Sequence, residues 1–264
     1  ILNADVSLMM FSGYDRVFNL SGVNGYGMGA DISFPKIDIV YGHRKTQMVG
    51  FGLTHFTQGI TLRADFGFFK SEDQNSDIRK EKTFVNQAYD SLHFSYPLQE
   101  KAEYYQTNIQ IEYDLPFETG LVIQLFSYDT LDYTSDELPI EEEVDIPNLE
   151  IDPSELSPAK LFTPGMGAPF AALSKQGVFF NLTREFLDNR LTLNVGGFLD
   201  ISDDNGLTGS MTTIGLEYEV VENLQVKVGI TQIMGNNDHP DGDHYRFNEM
   251  EDFSNIRMQL DFRF

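Results

Sequence analysis

The residues to which chemistry can first be assigned are charged side chains set at every second position of apolar-alternating stretches. Arg63 and Asp65 lie in ITLRADFGFF, Glu112 and Asp114 in QTNIQIEYDL, Glu217 and Glu219 in TTIGLEYEV, and Lys227 in LQVKVGIT. Arg257, Asp261 and Arg263 lie in NIRMQLDFRF, and Asp5, Glu185 and Asp200 hold equivalent places elsewhere. Period-two spacing sets such residues on the strand face opposite the apolar ones. Gathered around one enclosed space, with acids in excess, they would form a hydrated lining that favours cations or neutral polar solutes. The alternative is that opposite charges pair across neighbouring strands and fill that space. Filling is the better expectation, because about ten strands enclose little more than the eight-stranded barrels whose interiors are packed with side chains.

A second cluster lies in NNDHPDGDH. Asp238, Asp241, Asp243 and His244 crowd oxygen and nitrogen donors around Gly242. Such a set could coordinate Ca²⁺, and the histidines also admit Zn²⁺. It lacks the ligand spacing and closing Glu of an EF-hand loop, and a polar turn would use the same residues. Residues 129–155 hold eleven acids and no Lys or Arg, with Pro139, Pro147 and Pro153 among them. This composition reads as a solvated loop, or as one that binds divalent cations or a basic protein partner. Asp243 beside His244 could activate water, the chemistry of a protease sited at a barrel rim. No motif context supports that, and His43, His55 and His93 stand apart from any serine pairing. No catalytic residue is assigned, and the chain is expected not to be an enzyme.

The elements that would position these groups are strands. Apolar residues alternate with polar ones from Leu2 to Met10, Val49 to Leu53, Ile60 to Phe68, Thr107 to Leu115 and Leu121 to Leu125. They do so again from Val178 to Leu182, Leu191 to Leu199, Thr212 to Tyr218, Leu224 to Ile230 and Ile256 to Phe264. This pattern predicts ten strands. Short turns near residues 58, 118, 188 and 222 alternate with mostly long connections, notably 12–46, 70–103, 129–175 and 235–252. Sorting turns to one end and loops to the other is the asymmetry of an up-and-down transmembrane barrel whose long loops are extracellular. A soluble β-sandwich would not be expected to sort them. The expected fold is therefore all-β, an antiparallel up-and-down transmembrane β-barrel with about ten strands in this chain, forming a single domain over residues 1–264.

Composition agrees. The chain has 22 Gly, 22 Phe and 12 Tyr and no Cys, which suits turns and interfacial rings and excludes disulfides and thiolate metal sites. Its net charge of −23, from 18 basic and 41 acidic residues, argues against a nucleic-acid partner. No apolar run reaches the ~18 residues of a spanning helix. The mean hydropathy of −0.27 carries little weight, because only alternate barrel residues meet lipid. No signal peptide is visible, so the chain reads as mature and trimmed at its N-terminus.

The last ten residues resemble the C-terminal strand by which bacterial outer-membrane barrels are recognised for assembly, with Leu260, Phe262 and Phe264 as the matching apolar positions. Arg63-Ala64-Asp65-Phe66-Gly67-Phe68-Phe69 resembles the Arg-Gly-Glu-x-Ala-x-Phe run of a large family of uncharacterised, porin-like proteobacterial outer-membrane proteins, with Ala64 and Asp65 in place of Gly and Glu. Tyr104-Tyr105-Gln106 and Ile111-Glu112-Tyr113-Asp114 are similar to another of its segments, so the likeness covers about residues 47–130 and the end. It implies a bacterial outer-membrane location in contact with lipid and lipopolysaccharide, recognition by the barrel assembly machinery, and envelope transport, often of hydrophobic compounds. Members are generally longer, so the chain is expected to be part of a larger barrel or a whole small one. The function expected is a porin-like channel for small solutes. The alternative is a non-conducting, filled barrel that binds a cation or protein through its loops. No cofactor is expected apart from Ca²⁺ at the 236–244 loop.

Overall fold

A computed structural model describes residues 4–28, 31–74, 77–78, 91–135, 162–165, 174–201, 206–236 and 246–262. The described chain is all-β and antiparallel, apart from a one-turn helix α1 (Arg246–Glu249) and a 3₁₀ turn (Glu251–Phe253). A large sheet contains ten strands: β1 (Ala4–Tyr14), β4 (Lys45–Thr57), β5 (Ile60–Glu72), β7 (Lys101–Leu115), β8 (Thr119–Thr134), β9 (Gln176–Phe186), β10 (Leu191–Asp200), β11 (Gly209–Val221), β12 (Leu224–Gly235) and β13 (Asn255–Phe262). Their spatial order is their order along the chain, so the sheet is one meander. Among the described residues β1 pairs within it only with β4, and β13 only with β12, so these are its edge strands. These are the ten strands that period-two alternation predicts.

Four turns close one end: 58–59, 116–118, 187–190 and 222–223. Three of these reversals use left-handed backbone: Gln58 and Gly59, Phe117 and Glu118, and Leu187 to Asn189 have positive φ. The opposite end carries the longer connections. Two of them hold strands that the alternation did not reveal. β2 (Asn19–Met28) and β3 (Asp31–Gly42) lie in the 12–46 stretch and β6 (Ser91–Pro97) in 70–103; they form a separate sheet ordered β3-β2-β6. These segments are structured rather than plain loops. The β8 strand likewise runs on to Thr134, and α1 and the 3₁₀ turn occupy part of 235–252.

Directly opposed residues share a face of an antiparallel pair, so the register sorts the large sheet into two surfaces. One row of pairs joins Val6, Leu53, Ala64, Ile109, Leu125 and Val178. Another joins Ile60, Tyr113, Leu121, Leu182, Val195, Ile214, Ile230 and Ile256. This apolar face is largely open: Leu8, Met10, Phe51, Phe66, Ile111, Leu216, Met258 and Leu260 are all exposed. Its apolar rows end toward the loops at Val49, Phe68 and Tyr105. The next rows are charged, with Lys70 on Glu103 at 2.6 Å and Lys101 on Glu72 at 2.8 Å.

The buried core sits on the other face. Phe126, Tyr128, Phe198, Ile233 and Phe247 form one cluster, and Phe69, Ala102, Tyr104 and Phe162 another. Both lie toward the loop end. Phe198 lies over Gly177 and Phe247 over Gly209, where a Cβ would meet ring carbon at 2.1 and 2.4 Å. Only glycine leaves the rings that room.

Candidate functional site: the polar face of the sheet

Every described charged residue selected from the sequence falls on the core-bearing face. Toward the turn end, Arg63 on β5 reaches Glu112 on β7 at 3.3 Å, and Gln110 donates to the same carboxylate at 2.6 Å. Asp65 sits two residues further along β5, opposite Gly52 and Asn108. The absence of a side chain at Gly52 lets Asp65 and Ser7 converge above it, since a Cβ there would meet Ser7 Oγ at 2.5 Å and the Asp65 carboxylate at 2.8 Å. Asp114 lies opposite Gly120.

A second group spans the last three strands. Lys227 lies 3.4 Å from Glu217 on β11 and 3.3 Å from Asp261 on β13. Gln225 donates to Glu217 at 3.2 Å and Gln259 to Asp261 at 2.7 Å. Arg257 faces Gly229. All these side chains keep about a third or more of their surface in water, so each pair contributes at most about 1 kcal/mol. Small and neutral polar residues lie beside these charges: loopward of Glu217 and Lys227, Thr213 and Thr231 touch at 3.1 Å, and between the two groups Thr183 on β9 donates to Asn194 on β10 at 2.8 Å.

The face is therefore stratified, with most of its charge toward the turns, amides and hydroxyls midway, and aromatic rings toward the loops, where Asp200 is buried and accepts from Ser174 at 2.7 Å. The aromatic stratum went unanticipated. Phe126, Phe179 and Phe198 occupy the parity of the polar residues, and Phe179 and Phe198 lie 4.6 Å apart with Phe247 5.7 Å beyond Phe198. Their parity was the available signal.

A buried ionic cluster joins the small sheet to the large one, also unanticipated. Arg44, between β3 and β4, lies 3.3 Å from Glu100, between β6 and β7. Its guanidinium also donates to Asn19 and to the Thr163 carbonyl at 3.0 Å, and covers the Phe162 ring at 4.7 Å. Asp15 accepts from Asn19 and from Thr46, and Tyr133 donates to Glu100 at 3.0 Å. Burial raises the Glu100 carboxyl above its usual range; Arg44 and the Tyr133 hydroxyl oppose this, while Asp73 and Asp15 add to it.

Leu260 and Phe262 lie exposed on the apolar face of β13. Phe264, Arg263 and the metal candidates Asp238, Asp241, Asp243 and His244 lie outside the described residues, as does 136–155 of the acidic stretch. Among the described residues, no three His, Asp or Glu side chains are grouped to hold a metal ion, and no helix is long and apolar enough to cross a membrane.

No family profile matches the chain, and no curated protein does. Among solved structures, outer membrane phospholipase A from Escherichia coli is matched with 8% identity over 98% of this chain and 76% of that one, at a TM-score of 0.28. A likeness at that level carries no argument about fold or chemistry.

Proposed function

We propose that the ten-stranded sheet is the wall of an outer-membrane β-barrel that conducts small solutes with a preference for cations. The observation that carries this is the exposed apolar face. Soluble monomers rarely leave contiguous apolar patches larger than several hundred Å² open, whereas here apolar residues are exposed on β1, β4, β5, β7, β8, β11, β12 and β13, with half-buried ones on β9 and β10 between them. The dimensions suit a bilayer. On β7 the outward residues run Tyr105, Thr107, Ile109, Ile111, Tyr113, nine positions bounded by tyrosines, followed toward the loops by Glu103 and Lys101. A tilted membrane strand needs about 9–11 residues, and tyrosines favour both interfaces.

On this reading the polar face lines the interior. Acids outnumber bases along it: Asp5, Asp65, Glu112, Asp114, Glu185, Glu217, Glu219 and Asp261 against Arg63, Lys227 and Arg257. That excess supports cation preference. Reconstitution into planar bilayers tests the proposal: discrete cation-selective conductance is expected, and its absence from correctly folded protein would refute conduction. The aromatic stratum and the ion-paired charges favour a second reading, a filled barrel whose loops bind a partner. A silent bilayer recording would favour that one.

A further inference from the structure

We infer that Arg184 holds the phosphate of an anionic phospholipid, in the leaflet that meets the turn end of the sheet. The inference rests on the membrane-wall reading and adds a lipid site to it.

Arg184 lies on β9 opposite Thr119 of β8 and Leu193 of β10, and it shares the parity of Leu182, so it belongs to the apolar face. In the rows from Ile109 to the turns, the described strands carry no Lys, Asp or Glu at this parity, and a single Arg, Arg184. Other cations have protein partners. Arg63 and Lys227 pair with acids across the polar face, and Lys70 and Lys101 pair with Glu103 and Glu72 in the loopward rows. Arg190, in the turn after β9, donates to the Glu219 carbonyl at 3.1 Å and the Val220 carbonyl at 2.9 Å. Arg184 has neither kind of partner among the described residues. Its guanidinium packs instead on aromatic rings, 4.7 Å from the centre of Phe186 and 5.6 Å from that of Phe117, and its Nε is covered without a hydrogen-bond acceptor.

Those rings hold the charge at a defined depth. Arg184 and Tyr113 each lie three residues before a turn, at 187–190 and 116–118, so Arg184 stands level with the tyrosine that bounds the outward run of β7. At a bilayer interface that is the level of the headgroups. A guanidinium facing hydrocarbon nearer the midplane would lack polar partners; at this depth its stem can lie along apolar surface while its head reaches the boundary. Stacking on ring faces leaves the edge of the planar fork free, and that edge matches two oxygens of one phosphate. The next row toward the midplane, Leu182, Val195 and Ile214, offers an apolar track for the acyl chains. With a net charge of −23 the chain as a whole repels anions, so binding here depends on this one side chain.

Phosphatidylglycerol titrated into protein held in an uncharged detergent, with bound lipid counted by native mass spectrometry, reads the site. The parent protein is expected to bind phosphatidylglycerol in preference to diacylglycerol, which lacks the phosphate. Arg184→Gln should weaken that binding roughly tenfold or more, as expected for losing a hydrogen-bonded charge. Arg184→Lys keeps the charge but loses the planar fork, and should bind with intermediate strength. Lys70→Gln, in the loopward rows, should bind as the parent does. No preference in the parent, or equal binding by the parent and both Arg184 variants, overturns the inference. So does an equal loss from Lys70→Gln, which would mark diffuse charge attraction. Displacement of the lipid by millimolar inorganic phosphate would also overturn it, since a free anion would then suffice. If Arg184→Gln does not fold, the comparison of the parent with Arg184→Lys decides. Failure of the membrane reading is seen separately, as protein that remains monodisperse in water without detergent.

Discussion

Placing an arginine along β7 measures whether its outward face meets lipid. Ile109 is the middle of the run from Tyr105 to Tyr113, four residues from either end. Four residues rise about 13 Å along an antiparallel strand, or roughly 10 Å of depth at a tilt near 40°. In an apolar band about 25 Å tall, Ile109 therefore lies near the midplane and both tyrosines near the interfaces. Ile109→Arg is expected to destabilise the protein by about 2–4 kcal/mol, and Tyr105→Arg and Tyr113→Arg by about 0–1 kcal/mol each. Reversible denaturant unfolding from lipid vesicles, followed by far-ultraviolet circular dichroism, reads the three values. In water the same changes at exposed positions stay within about 0.5 kcal/mol regardless of place. Three equal losses, or a larger loss at either tyrosine than at Ile109, would refute the membrane reading.

Three further outcomes are expected. Arg63→Glu removes a base paired with Glu112 and adds an acid, so reversal potentials in a salt gradient should shift toward stronger cation selectivity; an unchanged potential removes Arg63 from the conduction path. Phe198→Ala deletes a ring that is 1% exposed, costing about 3–5 kcal/mol and widening the aromatic stratum. Its single-channel conductance should rise in protein that still folds, and an unchanged value would show that ions bypass these rings. Burial raises the folded-state pKa of Glu100, so the stability tied to it is complete below the ordinary glutamate pKa and declines as pH rises through the raised value. Glu100→Gln should flatten that decline above the ordinary glutamate pKa, as followed by unfolding midpoints; a slope equal to that of the parent protein would contradict the assignment.

The strands of the large sheet were legible because one face of each is apolar and the other largely polar. Ile60 to Phe68 alternates without interruption, and so does 106–115. Alternation vanishes where both faces are apolar. Leu125 and Phe126 on β8, like Val178 and Phe179 on β9, point to opposite sides of the sheet, so the aromatic stratum shows in the sequence only as rings at the polar parity, with no alternation to mark it. β2 was obscured differently, by Gly22, Gly25 and Gly27, which leave gaps in any hydrophobic pattern. The Arg44–Glu100 pair joins residues far apart in the chain, and no local spacing encodes it. The charged residues of the polar face were found by parity alone, but which of them pair, such as Lys227 with two acids on different strands, depends on register.

The meander has a kinetic side. β4–β5, β7–β8, β9–β10 and β11–β12 are hairpins joined by two to four residues, and such units close in about 1–10 μs. Contacts between sequence neighbours cost little chain entropy, whereas a contact between the first and last strands closes a loop of nearly the whole chain. The sheet can grow hairpin by hairpin from such local contacts. As it grows its apolar face widens while both edge strands stay open to wrong partners, so the period most exposed to aggregation is the end of folding rather than its beginning.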